Sequence, residues 1–172
     1  MRRPVLPTLA FAAFVLAGHS LRAQQPAACP WLTLGTASHL LGLSAVADVQ
    51  LAQDGTGVCR FAPASQGSVG AAAAPLSPTL VLVVASNPQP SCGSHAKSLS
   101  GIGNQAQECA AQLTGADARI SIAGKVRGQW FRLDGSHLPL ASVRNPAPRW
   151  PDDSTRPTPL EVAAEQVADN LY

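Results

Sequence analysis

Four cysteines, Cys29, Cys59, Cys92 and Cys109, all stand downstream of an export-type leader, and this restricts the fold more than any other feature of the chain. Arg2 and Arg3 give the leader a positive start, Val5 to Ala17 is almost wholly apolar, and Leu21-Arg22-Ala23 offers a peptidase site. Cleavage is expected after Ala23. In an oxidising compartment an even number of cysteines favours disulfides over metal ligation. Of the three possible pairings, Cys29 with Cys59 and Cys92 with Cys109 is expected, because each pair brackets one local unit and leaves no crossed loops. The apolar run is short and is followed at once by Gly18, His19 and Ser20, so no membrane span is expected after cleavage. Pro26 stands where a lipobox needs Leu, which argues against a lipid on Cys29.

Charge narrows the functional classes. Three of the twelve basic residues (Arg2, Arg3 and Arg22) leave with the leader, so nine face ten acidic ones and the net charge becomes about −1. That is too little for electrostatic steering, and no basic stripe with interleaved aromatics is left to hold a nucleic acid.

The stretch from Cys29 to Phe61 reads as a helix followed by a hairpin, with a cysteine near each end. Thr33 can cap the helix, Ala37, Leu40 and Leu41 share one face, and Gly42 supplies a left-handed stop. Ala47 to Leu51 alternates as a half-buried strand, Asp54-Gly55 turns the chain, and Cys59 and Phe61 return on an inward face. Pro63 to Pro78 has no usable period and reads as an exposed loop. Thr79 to Ala85 is the most β-prone run and predicts a central strand covered on both sides. Ser91 can cap a short helix with Cys92, Ala96 and Leu99 on one stripe, ended by Gly101 and Gly103.

Asn104 to Leu113 reads as a strand, and Thr114 to Asp117 as a turn. Arg119 to Ala123 and Val126 to Leu133 are expected to be strands joined around Gly124-Lys125. The domain itself is expected to span 24–138, behind the leader at 1–23. A Pro-rich linker at 139–157 then crosses the surface, with no secondary structure of its own. It delivers a C-terminal helix at 158–172 that packs back on the domain. Thr158, Pro159 and Glu161 spell a capping box, and Leu160, Ala163, Ala164, Val167, Ala168 and Leu171 follow helical spacing, while Glu161, Glu165 and Asp169 are expected to face water. The order of elements predicts an α+β fold, an antiparallel sheet packed by two to three helices and stapled by two disulfides.

Cys29-x-x-Leu32-Thr33, the Leu41-Gly42 helix end, Cys59-x-Phe61, Gly101-Ile102-Gly103-Asn104-x-Ala106 and the terminal Ala-x-x-x-Ala helix resemble small extracytoplasmic domains of unknown function with a PsbP-like α+β fold, many of them lipoproteins. The resemblance covers most of the chain after the leader. It implies a periplasmic or secreted binding or sensing module and brings no catalytic residue with it.

The residues themselves agree. His39, His95 and His137 with the many serines could be drawn as a hydrolase site, but no nucleophile-elbow motif positions one. Cys92-x-x-His95 with Cys109 lacks a fourth metal ligand, and Gly101-x-Gly103 lacks the third glycine of a dinucleotide fingerprint. No metal and no cofactor is implied. Trp31, Trp130 and Phe131 form the candidate binding patch, because large aromatics near loop ends contribute area with little rotamer entropy to lose. Two functions from different classes remain: a non-catalytic envelope module binding a protein, lipid or small ligand, which is favoured, and a secreted hydrolase using one of His39, His95 and His137.

Overall fold

The computed structural model describes residues 28–64, 77–87, 92, 96–114, 117–144 and 156–172. Among these, the elements in chain order are α1 (Leu34–Leu41), β1 (Ala45–Leu51), β2 (Gly57–Pro63), β3 (Thr79–Ala85), β4 (Lys97–Leu99), β5 (Gln105–Thr114), β6 (Asp117–Val126), β7 (Gln129–Pro139), α2 (Leu140–Val143) and α3 (Pro159–Asn170). The seven strands form one antiparallel sheet in the order β1-β2-β3-β7-β6-β5-β4. The chain lays down β1 to β3, jumps to the far edge at β4, and returns inward until β7 closes against β3. This is the expected α+β architecture, and both expected disulfides, Cys29–Cys59 and Cys92–Cys109, are formed.

Alternation along the strands sends one set of side chains toward the helices. Cys59, Phe61, Leu80, Leu82, Val84, Ile122, Phe131 and Leu133 are buried on that face with Leu40, Leu160, Ala164 and Val167 in one core. Thr33 and Gly42 cap α1 as the sequence implied, Gly42 at a φ of 69°. The capping box of α3 is complete. Three polar ties fix the helices and the lead-in to α1 to one another: Thr36 Oγ1 donates to Gln166 Oε1 at 2.7 Å, Asn170 Nδ2 to the Trp31 carbonyl at 3.1 Å, and the buried Ser142 hydroxyl to the Leu40 carbonyl at 2.7 Å. No helix among the described residues is long and apolar enough to cross a membrane.

Several local expectations are corrected. Gly124-Lys125 is not a turn but the middle of a ladder, with Gly124 opposite Phe131 and Lys125 opposite Trp130. A Cβ on Gly124 would fall 2.4 Å from Phe131 Cε1, so this glycine serves close approach rather than chain reversal. The reversal lies at Arg127-Gly128, where Arg127 takes a φ of 53° and its N–H donates to Asn104 Oδ1 at 2.8 Å. Lys97 to Leu99 is a strand and not part of a helix, because pairing with Ala106 to Glu108 satisfies its backbone across the sheet. The rest of that expected helix, apart from Cys92 and Ala96, lies outside the described residues, as do most of the loop after Pro63 and residues 145–155 of the expected linker. The linker does contain one element, the short helix α2, whose Val143 joins the core.

Of the two faces of β3, only that of Leu80, Leu82 and Val84 is buried; Val81 and Val83 are half-buried on the other. Glu161 does not face water: it is only 8% exposed, because its carboxylate accepts from the Thr158 N–H and meets Lys97.

Candidate functional site

Among the described residues, the three helices pack on one face of the sheet and leave the other open. Register determines which side chains that face presents. One cross-strand row runs Gln50, Val58, Val83, Arg132, Ala123, Gln107 and Ser98. A parallel row two residues along runs Ala85, Trp130, Lys125 and Gln105. Where the two rows run side by side toward the β4 end, the small Ala123 sits between larger neighbours and a cleft of about 370 Å³ opens. Ser98, Gln105, Gln107 and Trp130 line it, with Leu99, Ala106 and Ala123 as its apolar part. This lies at the lower end of the range of small-molecule sites, roughly 300–1,000 Å³.

The charges beside the cleft are already engaged. Arg132 Nε donates to Asp134 Oδ1 at 2.7 Å and Arg132 Nη2 to Ser121 Oγ at 3.3 Å, while Ser121 Oγ donates to the same carboxylate oxygen. Lys125 Nζ sits 5.2 Å from the centroid of the Trp130 ring, within cation–π range. In contrast, no side-chain hydrogen bond within the described protein engages Ser98, Gln105 or Gln107. An amide offers two donors and an acceptor, and a hydroxyl one donor with acceptor capacity, so the cleft presents uncharged, two-way hydrogen-bonding groups beside an aromatic ring.

A second, smaller cavity of about 250 Å³ lies near the same edge of the sheet, lined by residues that include Lys97, Ser100, Ile102, Pro157, Glu161 and Glu165. Lys97 Nζ is 3.2 Å from Glu161 Oε1 and 3.8 Å from Glu108 Oε2. Burial pushes the Glu108 carboxyl above its ordinary value, Lys97 opposes the shift, and Glu161 adds to it. The folded state therefore binds more protons than the unfolded chain between the ordinary and the raised value. Stability contributed by this group is present below that window and lost as pH rises through it. Melting temperatures of the native chain should fall relative to Glu108→Gln as pH is raised from 4 to 7; a rise would contradict the burial effect.

The three aromatics of the expected patch are not brought together. Phe131 is fully buried on the helix side against Gly124, and Trp31, 6% exposed, is in the same core. Trp130, one residue from Phe131, points to the open face and reaches the cleft. His39 is exposed on α1. His137 has a φ of 54° where the β6–β7 register shifts, with Arg119 Nη2 3.5 Å from its Nε2. His95 is outside the described residues, and among those that are described no group of three or more His, Cys, Asp or Glu could hold a metal. The sequence reading missed Ser98, Gln105, Gln107 and Ala123. The signal available was the alternation Gln105-Ala106-Gln107, which puts two amides on one face of a strand. No protein-family model, no curated protein and no solved structure matches this chain.

Proposed function

We propose that this chain is an exported, non-catalytic module of the cell envelope that binds a protein, lipid or small ligand at the cleft beside Trp130. The observation that carries the reading is the pairing of an aromatic wall with three polar side chains that have no partner in the described protein. Export is supported by the leader and by the pairing of all four cysteines, which fits an oxidising compartment. Kinship with PsbP-like extracytoplasmic domains is carried into the proposal on the sequence motifs alone. Of the histidines that the hydrolase alternative would use, His39 and His137 do not line the cleft, and His95 lies outside the described residues.

The test is titration of the ¹⁵N-labelled, disulfide-bonded protein with a cell-envelope extract. Shifts are expected at the Trp130 indole and at the amides of Gln105 and Gln107, and they should persist in His39→Ala, His95→Ala and His137→Ala. Shifts confined to the helix side, or product formation that one of these histidine replacements abolishes, would overturn the reading. Intact mass of the envelope-located species should correspond to a chain starting at Gln24; one starting at Met1, or one with lipid on Cys29, would remove the export part.

A further inference from the structure

We infer that the ligand of the cleft is a neutral saccharide of one or two rings, held by stacking on Trp130 and by hydrogen bonds from its hydroxyls to Gln105, Gln107 and Ser98. This rests on the binding reading above and names the chemical class it leaves open.

Charge selects against ions. Among the described residues, Arg132 is paired with Asp134, and Lys125 lies over the Trp130 ring. None of the seven lining residues is ionisable. An anionic ligand would have to draw Arg132 from its carboxylate, and a cationic one would have to compete with Arg132 for Asp134. An uncharged ligand leaves the Arg132–Asp134 pair intact.

Polarity selects against a purely apolar ligand. Burying Ser98, Gln105 and Gln107 under an alkyl chain would strip water from three groups that have no side-chain hydrogen bond among the described residues, and leaving polar groups unmet is unfavourable. Sugar hydroxyls both donate and accept, which suits amides that do the same. The apolar C–H face of a sugar ring suits the indole, and Ala123 in the floor leaves the depth for it. Register supports a built arrangement rather than a chance gap. Ser98 is directly opposite Gln107, Gln107 is opposite Ala123, and Trp130 is held from the adjacent strand opposite Lys125. The hydrogen-bonding groups and the aromatic wall thus sit on rigid strands with fixed spacing. The volume, about 370 Å³, suits a mono- or disaccharide and not a long chain.

The experiment is ¹⁵N chemical-shift titration of the full disulfide-bonded protein with N,N′-diacetylchitobiose, cellobiose and maltose. Digalacturonate is the charged control, and a mixed tripeptide library and phosphatidylglycerol vesicles are the other classes. At least one neutral disaccharide should shift Ser98, Gln105, Gln107 and the Trp130 indole together. Trp130→Ala should weaken that binding by about tenfold and Gln107→Leu by several fold, each with an unchanged melting temperature. Trp130→Phe keeps a stacking surface and should retain most of the affinity, which separates loss of the ring from loss of the fold. Digalacturonate binding tighter than every neutral sugar would overturn the neutral class. Peptides or vesicles shifting the cleft while sugars do not would overturn the saccharide and leave the binding reading standing. Silence of the cleft toward every probe would overturn both.

Discussion

Val167→Asp should unfold the domain under conditions in which Val162→Asp leaves it folded. Both residues belong to α3, both changes replace a β-branched apolar side chain by a carboxylate, and the two positions are five residues apart. Val167 is 0% exposed in the core with Ala163, Ala164 and Leu160, whereas Val162 is 46% exposed. At Val167 the change forfeits about 1.5–3 kcal/mol of burial and leaves a carboxylate without a partner in an apolar contact, for a total of roughly 4 kcal/mol or more. A domain of this size has only about 5–15 kcal/mol in all, so the variant is largely unfolded or melts far below the native chain. Val162 is in the first turns of the helix, where a negative charge is tolerated by the helix dipole, and its replacement should stay within about 0.5 kcal/mol. Urea denaturation of both variants decides the matter. Equal midpoints would mean that α3 does not hold the sheet.

Removing the Cys29–Cys59 bridge should be the second large effect. The bridge ties the lead-in to α1 to the second strand across 30 residues of sequence, with a Cα–Cα distance of 5.9 Å. In the chain-entropy treatment a loop of this length contributes about 3.5–4 kcal/mol by restricting the unfolded chain. Cys59 is fully buried in the core, so its loss also leaves space there. Cys29→Ser with Cys59→Ala, made together so that no lone thiol is left, should lower the unfolding free energy by about 4 kcal/mol and the urea midpoint with it. Losing Cys92–Cys109 should matter less: it closes 17 residues, and it joins the half-buried Cys92 to a strand next to the sheet edge. A double variant at Cys29 and Cys59 that melted with the native chain would show that the bridge adds nothing to packing already in place.

The sequence by itself determined those features whose signals lie within a few residues of each other. The caps of α1 and α3 are legible because Thr33, Gly42, Thr158, Pro159 and Glu161 act on backbone groups one turn away. The Asp54-Gly55 turn is legible for the same reason. There the Thr56 hydroxyl and N–H both donate to Asp54 Oδ1 and hold its carboxyl below the ordinary value. The disulfide pairs could be chosen because each closes a local unit.

Tertiary structure decided everything that depends on a partner far along the chain. Gly124 has the local character of a turn residue, yet Phe131 across the ladder needs the space its missing Cβ leaves. Lys97 to Leu99 has no strong preference of its own, and pairing with β5 makes it a strand. Trp130 and Phe131 are neighbours that no sequence pattern assigns to faces; only the packing of α1 and α3 on one side puts Phe131 inside and leaves Trp130 at the cleft. The cleft takes one wall from β7, its floor from β6, and its polar groups from β5 and β4, so these four contributions come together only once the sheet has formed. Local propensity acts through backbone geometry over a few residues, whereas a binding surface is a matter of register between strands. Register is settled by which faces the core buries.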